Sequence, residues 1–179
     1  LMGRIDSDLM YDIVMQWEWG NSELTTIYHD PETRKNSISF RSNMARLAEN
    51  LINEGKLNKA KAILDLAIEK MPIDYFGYYS LLVPFVDGYY RINETEKEQI
   101  LSNKIAEKYK DRLNYFNSLE VGLKYSLVEE IITEIERYRT LVEADLKHGE
   151  KIELNPVLDQ FMEAIAPFSY LYGDYDFYT

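Results

Sequence analysis

The 179-residue chain contains no cysteine. That removes disulfides, thiolate nucleophiles and sulfur-ligated metal sites, but it assigns no compartment, since proteins of oxidising compartments can also do without disulfides. No apolar run approaches the ~20 residues of a membrane-spanning helix, and no signal peptide is visible. Basic residues are in deficit: 20 Lys and Arg stand against 31 Asp and Glu, for a net charge of −11 and a pI near 4.7. The basic residues are also dispersed, so nucleic acid and anionic membrane surfaces are poor partners. Only two histidines are present, His29 and His148, and neither has a sequence partner at a ligand spacing such as H-E-x-x-H. No glycine loop is present to cradle a phosphate, and there is no G-x-S-x-G. The opening Leu1-Met2-Gly3-Arg4 is not a natural start, so a fragment of a longer protein is expected and missing targeting signals carry little weight.

What is present is a repeat. With 46% hydrophobic residues a core is available, and Arg41 to Pro72 falls into the register of one tetratricopeptide-type helix–turn–helix unit. With Arg41 at position one, Met44, Leu47 and Leu51 take the large apolar slots and Ala48 the small one. Gly55 ends the first helix as the left-handed residue. Ala60 and Ala67 let two antiparallel helices approach closely, Leu64 fills the aromatic slot, and Pro72 closes the unit because it cannot continue a helix. A second, looser unit follows. Asn93 takes the place of Gly55, which sets Tyr79 against Arg41 at a spacing of 38 rather than about 34, with Glu98 and Ile105 where the alanines stood.

The remaining chain reads as helical. A short amphipathic helix over 6–17 is capped by Asp6 or Ser7 and carries Leu9, Met10, Ile13 and Val14 on one face. Residues 22–36 read as an irregular arm with a turn at Asp30-Pro31. Helices are expected at Ser37–Glu54 and Asn58–Met71, then at Tyr75–Ile92 with Asp74 as N-cap and a kink or split at Pro84. Thr95-x-x-Glu98 is read as a capping box. A long helical pattern spans Ser118–His148, with Gly122 near its start and Gly149 at its end. Asn155-Pro156 opens a last helix to about Tyr172 that contains Pro167, and a frayed tail from Gly173 completes about seven helices.

Candidate chemistry is sparse. His29 and His148 suit charged or capping roles. Asp6-Ser7-Asp8 and Asp174-Tyr175-Asp176 match a metal-holding Asp-x-Asp pattern, but capping acids and a solvated tail are the better readings in so acidic a chain. Glu129, Glu130, Glu134 and Glu136 with Arg137 and Arg139 form a wet helix face. The fifteen tyrosines are read mainly as helix-seam residues, with a stacking surface for sugar or peptide as the sharper alternative. No catalytic, cofactor-binding or metal residue is assigned. The candidate binding face is the concave side of the repeats: Ser42, Ala45, Glu49, Ile52 and Asn53 from the first unit, and Ser80, Val83, Asp87, Tyr90 and Arg91 from the second.

Several sequence words carry a family resemblance. They are Trp19-Gly20-Asn21, Ile27 to Thr33, Arg41 to Ala48, Glu54-Gly55-Lys56, Ala60 to Asp65, Glu69 to Pro72, Pro84-Phe85, Tyr89-Tyr90 and Leu113 to Phe116. Together they make residues 5–120 resemble the soluble C-terminal region of large multi-pass bacterial membrane proteins related to protein O-mannosyltransferases, long known as a domain of unknown function. The resemblance implies that the catalytic acids sit in a membrane region with no counterpart here, and that this segment lies on the periplasmic side of the inner membrane. The expectation is an all-α chain of antiparallel helix pairs stacked as a short tetratricopeptide-like right-handed superhelix. Residues 1–36 would form a short helix and arm, 37–117 two helix pairs, and 118–179 helices packing on them, as one compact domain overall. The expected function is non-catalytic binding of a protein, glycoprotein or acceptor substrate without a cofactor. The alternatives are carbohydrate binding through tyrosine platforms, a small helical hydrolase or transferase, and a purely structural or oligomerisation role.

Overall fold

Asp30 decides where the first long helix begins. Its carboxylate accepts from the backbone N–H groups of Glu32 (2.8 Å) and Thr33 (3.0 Å), and Pro31, which has no N–H to lose, takes the first helical position. Asp30-Pro31, read from sequence as a turn, is therefore a helix start, and the helix begins at Pro31 rather than near Ser37. The structure is a computed structural model describing residues 6–148 and 155–171. Among them are nine α-helices: α1 Ser7–Val14, α2 Pro31–Asn53, α3 Leu57–Lys70, α4 Ile73–Phe76, α5 Val83–Arg91, α6 Thr95–Ser118, α7 Val121–Ser126, α8 Val128–His148 and α9 Pro156–Ile165. Two 3-10 segments, Tyr79–Leu82 and Ala166–Leu171, join them, and no strand occurs among the described residues. The chain is all-helical, as its periodicity predicts. Gly149, Asp174-Tyr175-Asp176, Tyr172, Tyr175, Tyr178, the tail from Gly173 and the side chain of His148 lie outside the described residues. The chain divides into two compact units, Leu1–Glu98 and Gln99–Thr179, with the boundary inside α6.

In the first unit α2 and α3 form a hairpin. Gly55 (φ +74°) follows α2, with Lys56 N–H bonded to Leu51 O (2.8 Å) and Gly55 N–H to Ile52 O (2.9 Å). This paired arrangement satisfies the last carbonyls of a helix around a left-handed residue. The chain then reverses, so that Arg41 near the middle of α2 reaches Met71 just past the end of α3. Met44, Leu47, Ala48, Leu51, Ala60, Ile63, Leu64 and Ala67 are all buried between the helices. The turn after α5 repeats the first: Asn93 (φ +60°) follows the helix, Glu94 N–H bonds Tyr89 O (2.9 Å) and Asn93 N–H bonds Tyr90 O (2.9 Å). Burial repeats at the same spacing. Leu82, Phe85, Val86 and Tyr89 are buried as Met44, Leu47, Ala48 and Leu51 are, each 38 residues on. α5 packs so closely on α3 that a Cβ on Gly88 would lie 3.1 Å from Leu64 Cδ2.

Three expectations are corrected here. The helix expected over Tyr75–Ile92 begins earlier, at Ile73 with Pro72 and not Asp74 as its cap, and beside the split expected at Pro84, where α5 starts at Val83, it has a second break at Gly77. Gly77 (φ +67°) and Tyr78 (φ +46°) end α4, and after the 3-10 segment Pro84 sits in the first turn of α5, where its missing N–H costs nothing. At α6, Glu98 N–H bonds Glu94 O (3.0 Å), so Glu94 holds the cap position that the capping-box reading gives to Thr95. In α1 only Val14 of the four apolar residues is buried; Leu9 and Ile13 remain 59% and 50% exposed.

The second unit is built on a buried aromatic stack. Tyr109 of α6 lies parallel to Tyr138 of α8 (5.0 Å, 13°), and Phe161 of α9 meets Tyr138 edge-on (5.1 Å, 88°). Asn155 caps α9 by accepting from Val157 and Leu158 N–H (2.9 Å each), with Pro156 first in the helix as its sequence predicts. Asp145 of α8 holds that cap, accepting from Asn155 Nδ2 and from the buried Ser102 hydroxyl of α6 (3.0 Å). Leu127 interrupts the long pattern between α7 and α8, whereas Gly122 stays inside α7. Ala166-Pro167 tightens the last helix into its 3-10 segment, because Pro167 cannot supply an i→i−4 bond.

Candidate functional site

The face anticipated from the repeat register lies in the first unit, on α2, α5 and the 3-10 turn before α5. Ser42, Glu49 and Asn53 of α2 are exposed, and Ala45 and Ile52 are half-buried. Of the second set, Ser80, Val83 and Asp87 are half-buried, and Tyr90 and Arg91 are exposed. Arg91 joins the two sets. Its Nη2 donates to Asn53 Oδ1 (2.5 Å) while Nη1 lies 3.7 Å from Asp87. Asn53 and Arg91 are equivalent positions, 38 residues apart. Asn53, Asp87 and Arg91 are thus brought together, while Ser42 and Glu49 lie at earlier positions along α2. The arrangement offers one guanidinium, two carboxylates, an amide and the Tyr90 phenol, a mixed polar surface suited to recognition of polar and peptide groups.

Behind this face a second polar node ties α3, α5 and the start of α6. The buried Tyr89 donates its hydroxyl to Asp65 (2.9 Å), which also takes Lys97 (2.6 Å) and, at longer range, Lys61 (3.7 Å). Lys61 in turn holds Glu94 (2.6 Å). Burial first, then the Asp65 carboxylate, pushes the Tyr89 phenol well above its ordinary range, so it stays a donor.

Sequence reasoning gave Arg41 only a place in the register, yet it is the largest fully buried side chain. Its guanidinium donates to the carbonyls of Met71 (2.7 Å), Gly77 (2.5 Å) and Tyr78 (3.4 Å). Met71 and Gly77 cap the C-termini of α3 and α4, where helix dipoles favour a cation. Burial lowers the Arg41 pKa to about 10, which leaves it charged at neutral pH. The signal was legible: Arg41, Met44, Ala48 and Leu51 share the i, i+3, i+7, i+10 spacing of one buried helix face.

His29 is a packing residue. Its ring lies against Tyr75 (5.3 Å) and Phe76 (5.0 Å), and Nε2 is 3.3 Å from Ser22 O. The arm around it is tied to the end of α3, with Ser22 donating to Lys70 O (2.7 Å) and Lys70 paired with Glu23 (2.8 Å). Of the Asp-x-Asp pair at the N-terminus, Asp6 caps α1 and Asp8 takes Lys56 and Lys59 (2.6 Å each). The acids of α8 pair along the helix, Glu134 with Arg137 (3.3 Å) and Glu136 with Arg139 (2.7 Å). No group of three or more His, Asp or Glu among the described residues is placed to hold a metal ion. Of the described tyrosines, Tyr89, Tyr109 and Tyr138 are buried, Tyr11, Tyr75 and Tyr79 half-buried, and Tyr28, Tyr78, Tyr90, Tyr115, Tyr125 and Tyr170 exposed. Helical spacing alone does not distinguish a core phenol from one at a helix end.

Comparison with known proteins yields no match: no family model, no curated protein and no solved structure is significantly similar to the chain.

Proposed function

We propose that this chain is a non-catalytic interaction module, a short tetratricopeptide-like right-handed superhelix whose face around Asn53, Asp87, Tyr90 and Arg91 binds a protein or glycoprotein partner. The observation that carries the reading is the Asn53–Arg91 hydrogen bond. Residues one repeat apart touch, as they do when first helices of successive units stand side by side. The recurrence of burial and of the Gly55 and Asn93 turns at the same spacing supports it. In this proposal the chain is the periplasmic tail of a membrane protein related to O-mannosyltransferases and presents a partner or acceptor to it. Ser42 and Glu49 extend the face along α2.

The test is affinity capture with the chain as bait from a bacterial envelope extract, followed by mass spectrometry, in parallel with Tyr90→Ala and Arg91→Ala baits of unchanged circular dichroism. Capture of a defined protein by the parent chain and its loss with either variant is expected. Equal capture by all three baits would remove this face from the reading, and turnover of a glycosyl donor by the isolated chain would remove the non-catalytic claim. Tyr90, 38% exposed on the same face, supports one alternative, a glycan as the bound group. A glycan array read with the same baits separates the two.

A further inference from the structure

We infer that the outer side of α1 and the aromatic cluster beyond it form a docking surface for a basic amphipathic helix of another protein. α1 is held by its polar edge. Ser7 donates to Glu54 (2.5 Å), and Asp8 takes Lys56 and Lys59, all at the turn between α2 and α3. Val14 is buried and Met10 half-buried, but Leu9 and Ile13, one turn apart, face out and are 59% and 50% exposed. Tighter turns continue the winding past Val14, with Gln16 N–H on Ile13 O (3.1 Å) and Trp17 N–H on Val14 O (3.2 Å). In such turns residues i and i+3 eclipse, so the half-buried Trp17 stands over Val14 and not in line with Leu9 and Ile13. Just past the end of α1 lies a cluster in which Trp17, Trp19 and the exposed Phe40 of α2 stand at mutual centroid distances of 5.7, 5.3 and 5.7 Å.

An exposed apolar pair on a helix that is followed directly by a partly exposed aromatic cluster is the composition of a binding surface. Charge selects the occupant. Asp6, Asp12 and Glu18, on and just past α1, are exposed; Lys59 feels Asp12 only at a distance, and neither Asp12 nor Glu18 is in an ion pair with another described residue. The nearby cations Lys56 and Lys59 are taken up by Asp8 and Glu54. The open rim is therefore acidic on a chain of net charge −11, which disfavours a second copy of itself and favours a cationic helix with apolar residues at i, i+3 and i+4.

The chain reports on this surface without a label, because Trp17 and Trp19 are its two tryptophans. The whole chain is titrated with a synthetic amphipathic helix of leucine and lysine, and separately with the same peptide carrying glutamate for lysine. A saturable change in tryptophan emission is expected with the lysine peptide alone, weakened by salt. In the double variant Leu9→Glu, Ile13→Glu, both exposed positions, affinity should fall roughly tenfold or more even though the surface becomes more acidic. Equal binding by the double variant would reduce the effect to general charge attraction and overturn the inference, as would an equal response to both peptides or none to either. A dimer in sedimentation equilibrium that the double variant abolishes would also overturn it, by giving the surface to a second copy.

Discussion

Tyrosine to phenylalanine should have opposite effects at two buried positions of this chain. Tyr138 is fully buried between Tyr109 and Phe161, and its hydroxyl has no hydrogen-bond partner among the described residues. Burial and, after it, the Glu163 carboxylate push its phenol well above the ordinary range. A buried hydroxyl without a partner forfeits its hydration, about 1–3 kcal/mol. Tyr138→Phe removes that group and keeps both ring contacts, so it should stabilise the second unit by about 1 kcal/mol. Tyr89 donates to Asp65 at 2.9 Å. A hydrogen bond to a charged group is worth about 1.5–3 kcal/mol. Asp65 is about one-third exposed and keeps Lys97, so the loss should fall at the lower end, about 1–1.5 kcal/mol. Urea denaturation followed by far-ultraviolet circular dichroism measures both variants. For a chain of this size about 1 kcal/mol moves the melting temperature by roughly 2–4 °C, within reach of calorimetry. A destabilised Tyr138→Phe would refute the reasoning, since the hydroxyl must then be satisfied; a neutral Tyr89→Phe would show that the Asp65 bond contributes nothing.

Arg41→Ala should cost roughly 3–5 kcal/mol, since it orphans carbonyls at about 1–3 kcal/mol each and opens a cavity; a loss under about 1 kcal/mol in urea denaturation would contradict the stapling role. Ala60→Leu should overpack the seam between α2 and α3 and cost about 1–3 kcal/mol; a thermal melt unchanged from the parent would mean that the seam is not packed as described. The Asp8 carboxyl is lowered from 3.8 to about 2 by hydrogen bonds from Lys56 and Lys59. Its contribution is therefore present above about pH 4 and is lost as pH falls through about 2, so the tether of α1 should loosen in that window. Tryptophan emission against pH should show a transition there, and Asp8→Asn should abolish it while leaving α2 and α3 folded.

Much of the first unit was legible because local rules and tertiary packing agree. The Met44, Leu47, Ala48 and Leu51 spacing, the small residues Ala60 and Ala67, and the left-handed turns at Gly55 and Asn93 are all where periodicity and turn chemistry put them. The candidate face was legible in part: the period of 38 placed Asn53 opposite Arg91, and their side chains touch. Misreadings fall where one residue type serves two local structures. Asp-Pro opens a turn or caps a helix, and the four N–H groups at a helix start decide for the cap at Asp30. Gly77 in a tyrosine-rich stretch gave no sign that the chain would turn left-handed there. That turn is held by Arg41, which lies 36 residues earlier.

By itself the sequence determined helix, period and turn, because each depends on residues within a few positions of one another. It also excluded cysteine chemistry, and its net charge of −11 makes nucleic acid and anionic membrane surfaces poor expected partners. Tertiary structure decided which polar groups are buried and what satisfies them: Arg41 on the ends of α3 and α4, Tyr89 on Asp65, Asn155 on Asp145, and no described residue on the Tyr138 hydroxyl. It also decided that Val14 of α1 is buried while Leu9 and Ile13 stay exposed, since a helix pattern states that a stripe exists but not which neighbour, if any, covers it. The reason is common to both: desolvation and hydrogen bonding act between groups far apart in the chain, and only the folded arrangement brings them within reach.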